Sequence, residues 1–422
     1  VEDRVISLTE RSTPSPESIT LRPNYQELPV GEYTDYGKIG VYAYLREDNP
    51  RCSTILKSRG CRAKCSFCSV REFNGVGVRH RPAGDVVDEM EWLRDSYGIK
   101  HFVWLDDDLL NDKGRTMDVF NGIIDRKLGI TWDASNGVIA AAVDDELASA
   151  AEDSGCIGMS FGIESGDESI LRRIHKPATI DRFYRAAKIL DKHPNIYTKG
   201  FLIVGFPDDG KHPAETIGQM WNTIHLAQKM RFDWYTVQIC MPLPGTEMAK
   251  NIEQTGQKRA DITKEAMNRF HTGFGLQSKI GRDLQNRGQG NFEEILLGDP
   301  NYAPTRDELR NVRFFVEYYV NYEDFVDPTK RIKANKLGMQ EKNLVEVVHR
   351  KDPENPVAHL YLGILRDRLG LYDGARDSRE EAQRHLVKSD FYKERFKYLH
   401  LDALLEQAEN GKFRKDTLSA TA

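Results

Sequence analysis

Between Cys52 and about Leu243 the chain alternates short β-rich runs with helical stretches, and this alternation limits its fold more than any other feature. The β-rich runs are Ser53–Lys57, His101–Leu105, Ile130–Asp133, Ile157–Ile163, Tyr197–Val204 and Tyr235–Met241. Between them, Asp85–Tyr97 places Val86, Val87, Met90, Trp92 and Leu93 at helical spacing, and Asp144–Ser154, Ile180–Lys192 and Ala214–Lys229 behave likewise. Strands alternating with helices predict βα units around a parallel sheet. Six units fall short of the eight in a closed barrel. The expected fold class is α/β: a partial, open (β/α)6 TIM-like barrel followed by an α-helical C-terminal region.

Four stretches are expected. Residues 1–45, rich in Pro, Ser, Thr and Tyr, read as an extended segment with one short strand near Gly40-Val41-Tyr42. Residues 46–250 form the core. Residues 251–345 read as a helical or irregular closing region, polar at Gln277, Gln285, Arg287 and Gln289, that gives no substrate class. Residues 346–422 are a helical tail in which Leu362, Gly363, Gly370, Tyr372, Ala375 and Ala382 follow tetratricopeptide spacing. One such repeat cannot stand alone, because these arrays need about three. The tail is expected to lean on the core, and an ordinary helical hairpin explains the pattern equally well. A concave helical face could bind a peptide or a protein partner.

Cys61, Cys65 and Cys68 fall within eight residues of a chain that has six cysteines. The spacing CxxxCxFC lets one loop offer three soft ligands to one metal centre. An iron–sulfur cubane takes four cysteines, so three leave one iron uncovered. An uncovered corner is where a ligand can bind, as in catalytic as opposed to structural zinc sites. Arg62 and Lys64 in the loop, and Arg59 before it, favour thiolates and offset cluster charge. Cys52, Cys156 and Cys240 stand singly and read as buried small hydrophobes. No disulfide framework emerges, so a reducing, cytoplasmic setting is expected.

Composition excludes several function classes. A net charge of −5 offers no global basic field for nucleic acid. No run of about 18 apolar residues suggests a membrane span. The first residues, Val1-Glu2-Asp3-Arg4, lack the basic and apolar regions of a signal peptide; a Val at position 1 leaves open whether the start is native.

With CxxxCxFC at the first strand–helix turn of six βα units, residues 50–250 resemble the radical S-adenosylmethionine (SAM) superfamily. Four further stretches fall in that family's order. Trp104-Leu105-Asp106-Asp107-Asp108 ends the second strand, where the family holds the methionine amino group. Phe161-Gly162-Ile163-Glu164-Ser165-Gly166 ends the fourth, where an acidic residue meets the ribose. Gly200-Phe201-Leu202-Ile203-Val204-Gly205-Phe206-Pro207 forms the fifth, beside the adenine, and Pro242-Leu243-Pro244-Gly245-Thr246 follows the sixth. Ser58-Arg59-Gly60-Cys61, the Gly-Ile-Glu-Ser-Gly run and the Pro-x-Pro-Gly-Thr run look most like the cobalamin-associated branch. That branch's DxHxxG signature is missing: the nearest string, Asp191-Lys192-His193-Pro194-Asn195-Ile196, lacks the glycine. Cobalamin use is therefore not supported by a binding motif.

The resemblance implies a 4Fe-4S cluster on Cys61, Cys65 and Cys68 that reductively cleaves SAM to a 5′-deoxyadenosyl radical. It also implies a one-electron reductant such as flavodoxin or ferredoxin, and an unidentified substrate modified by methyl transfer or C–H functionalisation. Three consecutive carboxylates repel one another unless they face donors, and the methionine ammonium is such a donor. Asp107 is the first candidate and Asp106 the second, with Asp108 left to cap the next helix. Glu164 and Ser165 suit a ribose diol, since a carboxylate accepts two hydrogen bonds. Lys176 stands where the family places a cation for the methionine carboxylate. Gly200 and Gly205 would let a flat ring approach the backbone. Phe67 would shield the cluster or lie near the adenine. His175, His193 and His271 show no ligand spacing, and Trp132 on the third strand reads as core ahead of cavity lining. A competing reading is a non-catalytic scaffold that carries zinc or a cluster and binds a protein through its tail. Zinc would want a fourth Cys or His nearby, and none is spaced for it.

Overall fold

The six β-rich runs form one parallel sheet. The structure is a computed structural model, and it describes residues 19–36, 42–256, 295, 297–325 and 336–415. Helix α1 (Val30–Tyr36) precedes β1 (Arg51–Ile55). After β1 come a two-residue strand β2 (Ser58–Arg59), α2 (Val70–Asn74), β3 (Arg79–His80) and α3 (Ala83–Tyr97). β4 (Ile99–Trp104), α4 (Lys113–Asp125), β5 (Thr131–Val138) and α5 (Asp145–Asp153) follow. Next are β6 (Cys156–Glu164), α6 (Glu168–Arg173), α7 (Ile180–Leu190), β7 (Tyr197–Val204), α8 (Ile217–Met230), β8 (Trp234–Ile239) and α9 (Glu247–Gln254). The sheet order β1-β4-β5-β6-β7-β8 is sequential, every pair is parallel, and the ends stay apart as in an open barrel.

Two features differ from the sequence reading. The 1–45 segment is not simply extended: it holds α1 and a 3-10 turn at Ala43–Leu45. Of the expected strand near residues 40–42, Gly40 and Val41 lie outside the described residues, and Tyr42 leads into that turn. The hairpin β2–β3 was not foreseen, since two-residue strands leave no periodicity to read. His271, Gln277, Gln285, Arg287 and Gln289 also lie outside the described residues.

The core forms where outward-facing strand residues meet the helices. Trp132 is fully buried; its ring stacks on Phe120 of α4 at 5.0 Å, meets Trp104 edge-on, and donates Nε1–H to Ser154 Oγ at 3.1 Å. Inside the sheet, toward the strands' N-terminal ends, Tyr42 acts as a plug. Gly158 leaves the room: a Cβ there would sit 2.2 Å from the Tyr42 ring. The Tyr42 hydroxyl bonds Ser160 Oγ at 2.9 Å, and Lys199 Nζ lies 5.0 Å over the ring.

Beyond the barrel are α10 (Leu309–Asn321), α11 (Leu337–Glu346), α12 (Pro356–Leu369), α13 (Tyr372–Leu386), α14 (Asp390–Tyr398) and α15 (Leu401–Glu409). α10 covers the exposed edge of β8: Asn321 accepts from Tyr235 N at 2.7 Å and donates to Tyr235 O at 2.8 Å. A side-chain amide here imitates a neighbouring strand and blunts an edge that would otherwise invite pairing. Tyr318 of α10, Tyr322 just after it and Tyr361 of α12 share one apolar cluster with Tyr42, Tyr197 and Trp234. Among the described residues no helix is long and apolar enough to cross a membrane.

Replacing Gly158 by Ala forces a methyl group against the Tyr42 ring, with an expected cost of about 1–3 kcal/mol from overpacking. A thermal melt of Gly158→Ala should show a lower midpoint than the parent; an equal midpoint would contradict the plug.

Candidate active site

The three candidate ligands lie on the loop between β2 and α2, at the carboxyl ends of the strands. The loop turns at Gly60, whose φ of +94° and missing Cβ are both required, because a Cβ would sit 2.2 Å from Gly77 O. Its centre is clamped on both sides. Ser66 N donates to Ile174 O at 3.0 Å just beyond α6, and Ser66 O accepts from Met248 N at 2.9 Å in α9. The Pro-x-Pro-Gly-Thr run sets the second clamp: Thr246 caps α9 by accepting from Ala249 N at 3.2 Å, and its hydroxyl donates to Leu243 O at 2.7 Å. Phe67 packs edge-on against Phe206 at 6.3 Å beside Ile170, Ile174 and Met248. It anchors the loop.

Cys61, Cys65 and Cys68 are half-buried free thiols. Burial pushes Cys61 up to about 11 and Cys65 up to about 12, and raises Cys68 as well. The protonated thiols suit a dry pocket; a thiophilic metal centre would displace those protons on binding. Three thiolates on one loop are one short of a cubane's full set and would leave one iron uncovered.

The acidic run divides its work. Asp106 is buried, and its oxygens accept from Lys57 N at 2.9 Å and from the Ser58 hydroxyl. Burial raises its carboxyl above the usual range. Both oxygens serve the β1–β2 connection. Asp107 Oδ2 accepts from Gly60 N at 2.9 Å and from Asn74 Nδ2 at 2.8 Å, which ties the cluster loop to α2. Among the described residues Asp107 Oδ1 has no hydrogen-bond partner. Asp108 is fully buried with Arg62 Nε 3.0 Å away, and burial raises its carboxyl too. It does not cap α4; Asp112 does, accepting from Arg115 N at 3.0 Å. Arg62 also donates to Asn111 O at 3.0 Å, so it clamps the loop against the β4–α4 turn.

Glu164 ends β6 with φ +65°, a left-handed conformation that a residue with a side chain adopts only when its surroundings impose it. Its Oε1 accepts from Lys176 Nζ at 2.9 Å, and both side chains are about nine-tenths buried. Burial works against the Lys176 charge, yet Glu164 and Cys65 hold its ammonium above the usual lysine range. Gly162 makes the room, since a Cβ there would lie 2.6 Å from Lys176 Nζ. The turn at Glu164 directs the Ser165 hydroxyl to Thr223 of α8 at 3.2 Å and to Asp167 N at 3.1 Å. The space above Gly200 holds the Tyr235 ring, and the space above Gly205 holds Leu309.

Two contributors escaped sequence reasoning. Nothing in local spacing marks Asn74 as the partner of Asp107. Glu215, which is fully buried, accepts from Gly205 N at 2.6 Å and Phe206 N at 3.3 Å and so shapes the turn after β7. The pairing spans ten residues of loop, which no periodicity records. His193 is satisfied by Glu152 at 2.7 Å, and His175 faces Glu247 at 3.5 Å.

Residues 55–220 match the model of the Radical SAM superfamily. The chain is 30% identical over 222 residues to cytidylyl-2-hydroxyethylphosphonate methyltransferase of Streptomyces wedmorensis, covering 52% of this chain and 41% of that protein. It is 31% identical over 226 residues to an uncharacterized methyltransferase of Pyrococcus horikoshii, covering 54% of this chain and 45% of that one. The chain thus spans less than half the length of these relatives. Among solved structures, the radical S-adenosylmethionine methyltransferase TsrM from Kitasatospora setae, with tryptophan substrate and a SAM analog bound, aligns with TM-score 0.48 and 15% identity, over 78% of this chain and 62% of that one.

Burial lifts the Glu215 carboxyl to about 8. The folded protein then holds this proton more tightly than the unfolded chain. That contribution is complete below the ordinary glutamate range and is lost as pH rises toward 8. Glu215→Gln keeps the acceptor without the charge, so its stability relative to the parent should rise by up to ~3 kcal/mol between pH 5 and 8. Urea titrations at the two pH values measure this; a constant difference would refute it.

Proposed function

We propose that the chain is a radical SAM enzyme that reductively cleaves S-adenosylmethionine at a 4Fe-4S cluster on Cys61, Cys65 and Cys68. It modifies a substrate still to be identified, by methyl transfer or C–H functionalisation. The observation that carries this reading is the clamped loop with three half-buried free thiols, placed beside the buried Glu164–Lys176 pair. Zinc would want a fourth Cys or His, and none is spaced for it in the sequence. When bound together, the cluster and SAM supply one-electron cleavage of the sulfonium and a 5′-deoxyadenosyl radical.

The chain's own residues hold and orient. Asp107 Oδ1 accepts from the methionine ammonium. Lys176 offers a cation to the methionine carboxylate, and Glu164 offers acceptors to the ribose diol. Because Asp107 Oδ2 also binds Gly60 N, the same side chain couples ligand position to cluster-loop position. Two relatives named as methyltransferases support methyl transfer as the first outcome to assay. Electrons come from an external one-electron donor such as flavodoxin or ferredoxin.

Anaerobic reconstitution of the parent should yield 4Fe-4S absorption and release of 5′-deoxyadenosine from SAM. Cys65→Ala should lose both. Asp107→Asn should keep its iron, bind SAM about tenfold more weakly or worse, and release less 5′-deoxyadenosine, because a charge-assisted hydrogen bond of roughly 1.5–3 kcal/mol is lost. Undiminished cleavage by Cys65→Ala would end the proposal. Unchanged SAM affinity in Asp107→Asn would remove that residue's role.

A further inference from the structure

Away from the barrel, the tail gathers three ligand-type side chains that the proposed chemistry does not use. His359 of α12 and Glu381 and His385 of α13 each bring one ligand atom within 4.8 Å of the other two. Glu381 and His385 are one helical turn apart and so share a face of α13, with Glu381 Oε2 3.3 Å from His385 Nε2. The His359 ring stacks on the His385 ring at 5.5 Å and 15°.

The surroundings favour metal-ready imidazoles. His359 Nε2 lies 2.9 Å from Pro353 O. A carbonyl only accepts, so Nε2 carries the proton and Nδ1 carries the lone pair. Metal-binding histidines are commonly oriented by such a second hydrogen bond. Burial, with His385 and His349 nearby, holds His359 below the usual histidine range. Burial and Arg384 do the same for His385, against Glu381 and Glu354. Neutral imidazole is the form that binds metal. Arg384 also pairs with Glu381 Oε2, but its side chain is 55% exposed and can swing into water.

We propose that His359, Glu381 and His385 bind one Zn²⁺ ion that clips α12 to α13. Two imidazoles and one carboxylate are a borderline-soft donor set suited to zinc, and three protein ligands leave a fourth position for water. Magnesium and calcium would want more oxygen ligands. The site is independent of the cysteine loop, so it can be tested whether or not the cluster assignment holds.

The test uses the full chain in two forms: cluster-loaded, and with Cys61, Cys65 and Cys68 all replaced by Ser. Each is titrated with ZnCl₂ against a competing chelator, and the bound ion is examined by zinc X-ray absorption. One zinc per chain is expected in both forms, with nitrogen and oxygen in its first shell and no sulfur. Zinc should raise the thermal midpoint. His359→Ala and His385→Gln should each bind zinc at least about tenfold more weakly, and zinc should no longer raise their midpoints. If His359→Ala fails to fold, His385→Gln on the more exposed helix decides alone. Failure of the Ser form to bind zinc, a sulfur shell, or parental affinity in His385→Gln would overturn the proposal.

Discussion

Two backbone hydrogen bonds to Ser66 hold the site together. One comes from the end of α6 and the other from α9, so a loop with no regular structure of its own is fixed between elements from the middle and the end of the barrel sequence. A cluster-binding loop must present three sulfurs at set distances, and loops without such anchoring open readily. The clamp also explains why the run after β8 is Pro-x-Pro-Gly-Thr. A stiff turn and a capped helix bring Met248 N to the place where Ser66 O needs it.

Burying so much charge beside the thiols demands counter-charges. Asp108 faces Arg62, Glu164 faces Lys176, and Asp106 is held by the hydrogen bonds at Lys57 N and Ser58. Buried pairs of this kind add little net stability, because desolvation offsets attraction. Their value lies in position: each carboxylate is kept in one orientation, and Gly162 keeps the space that the Glu164–Lys176 pair occupies. The positive φ at Glu164 belongs to the same arrangement, since it turns the carboxylate to Lys176 and sends Ser165 toward α8.

Much of the fold was legible because burial on both faces of a parallel sheet forces apolar β-rich runs, and the helices that cover them carry one apolar stripe. All six strands lie where those runs stand, and Trp132 is core as its size and neighbours suggested. The hairpin β2–β3 was invisible because two residues carry no period. The cysteine loop could be read from spacing alone. The protein partners of Asp106, Ser165, Gly200 and Gly205 could not, because a motif marks where a residue stands along the chain and not which neighbour reaches it first. Tyr235 and Leu309, from distant segments, took the spaces above the two glycines.

The order of residues by itself determined the βα repeat, the three-thiol loop, the acids at strand ends and the apolar faces that drive collapse, since each depends on local periodicity or on the chemistry of neighbouring side chains. Only the tertiary structure decided which acid holds Gly60 N, which lysine answers Glu164, and that Asn321 closes the edge of β8. It also decided that two histidines and a glutamate meet on the tail. These are contacts between residues far apart in sequence. They exist only after packing has chosen among many partners of equal chemistry.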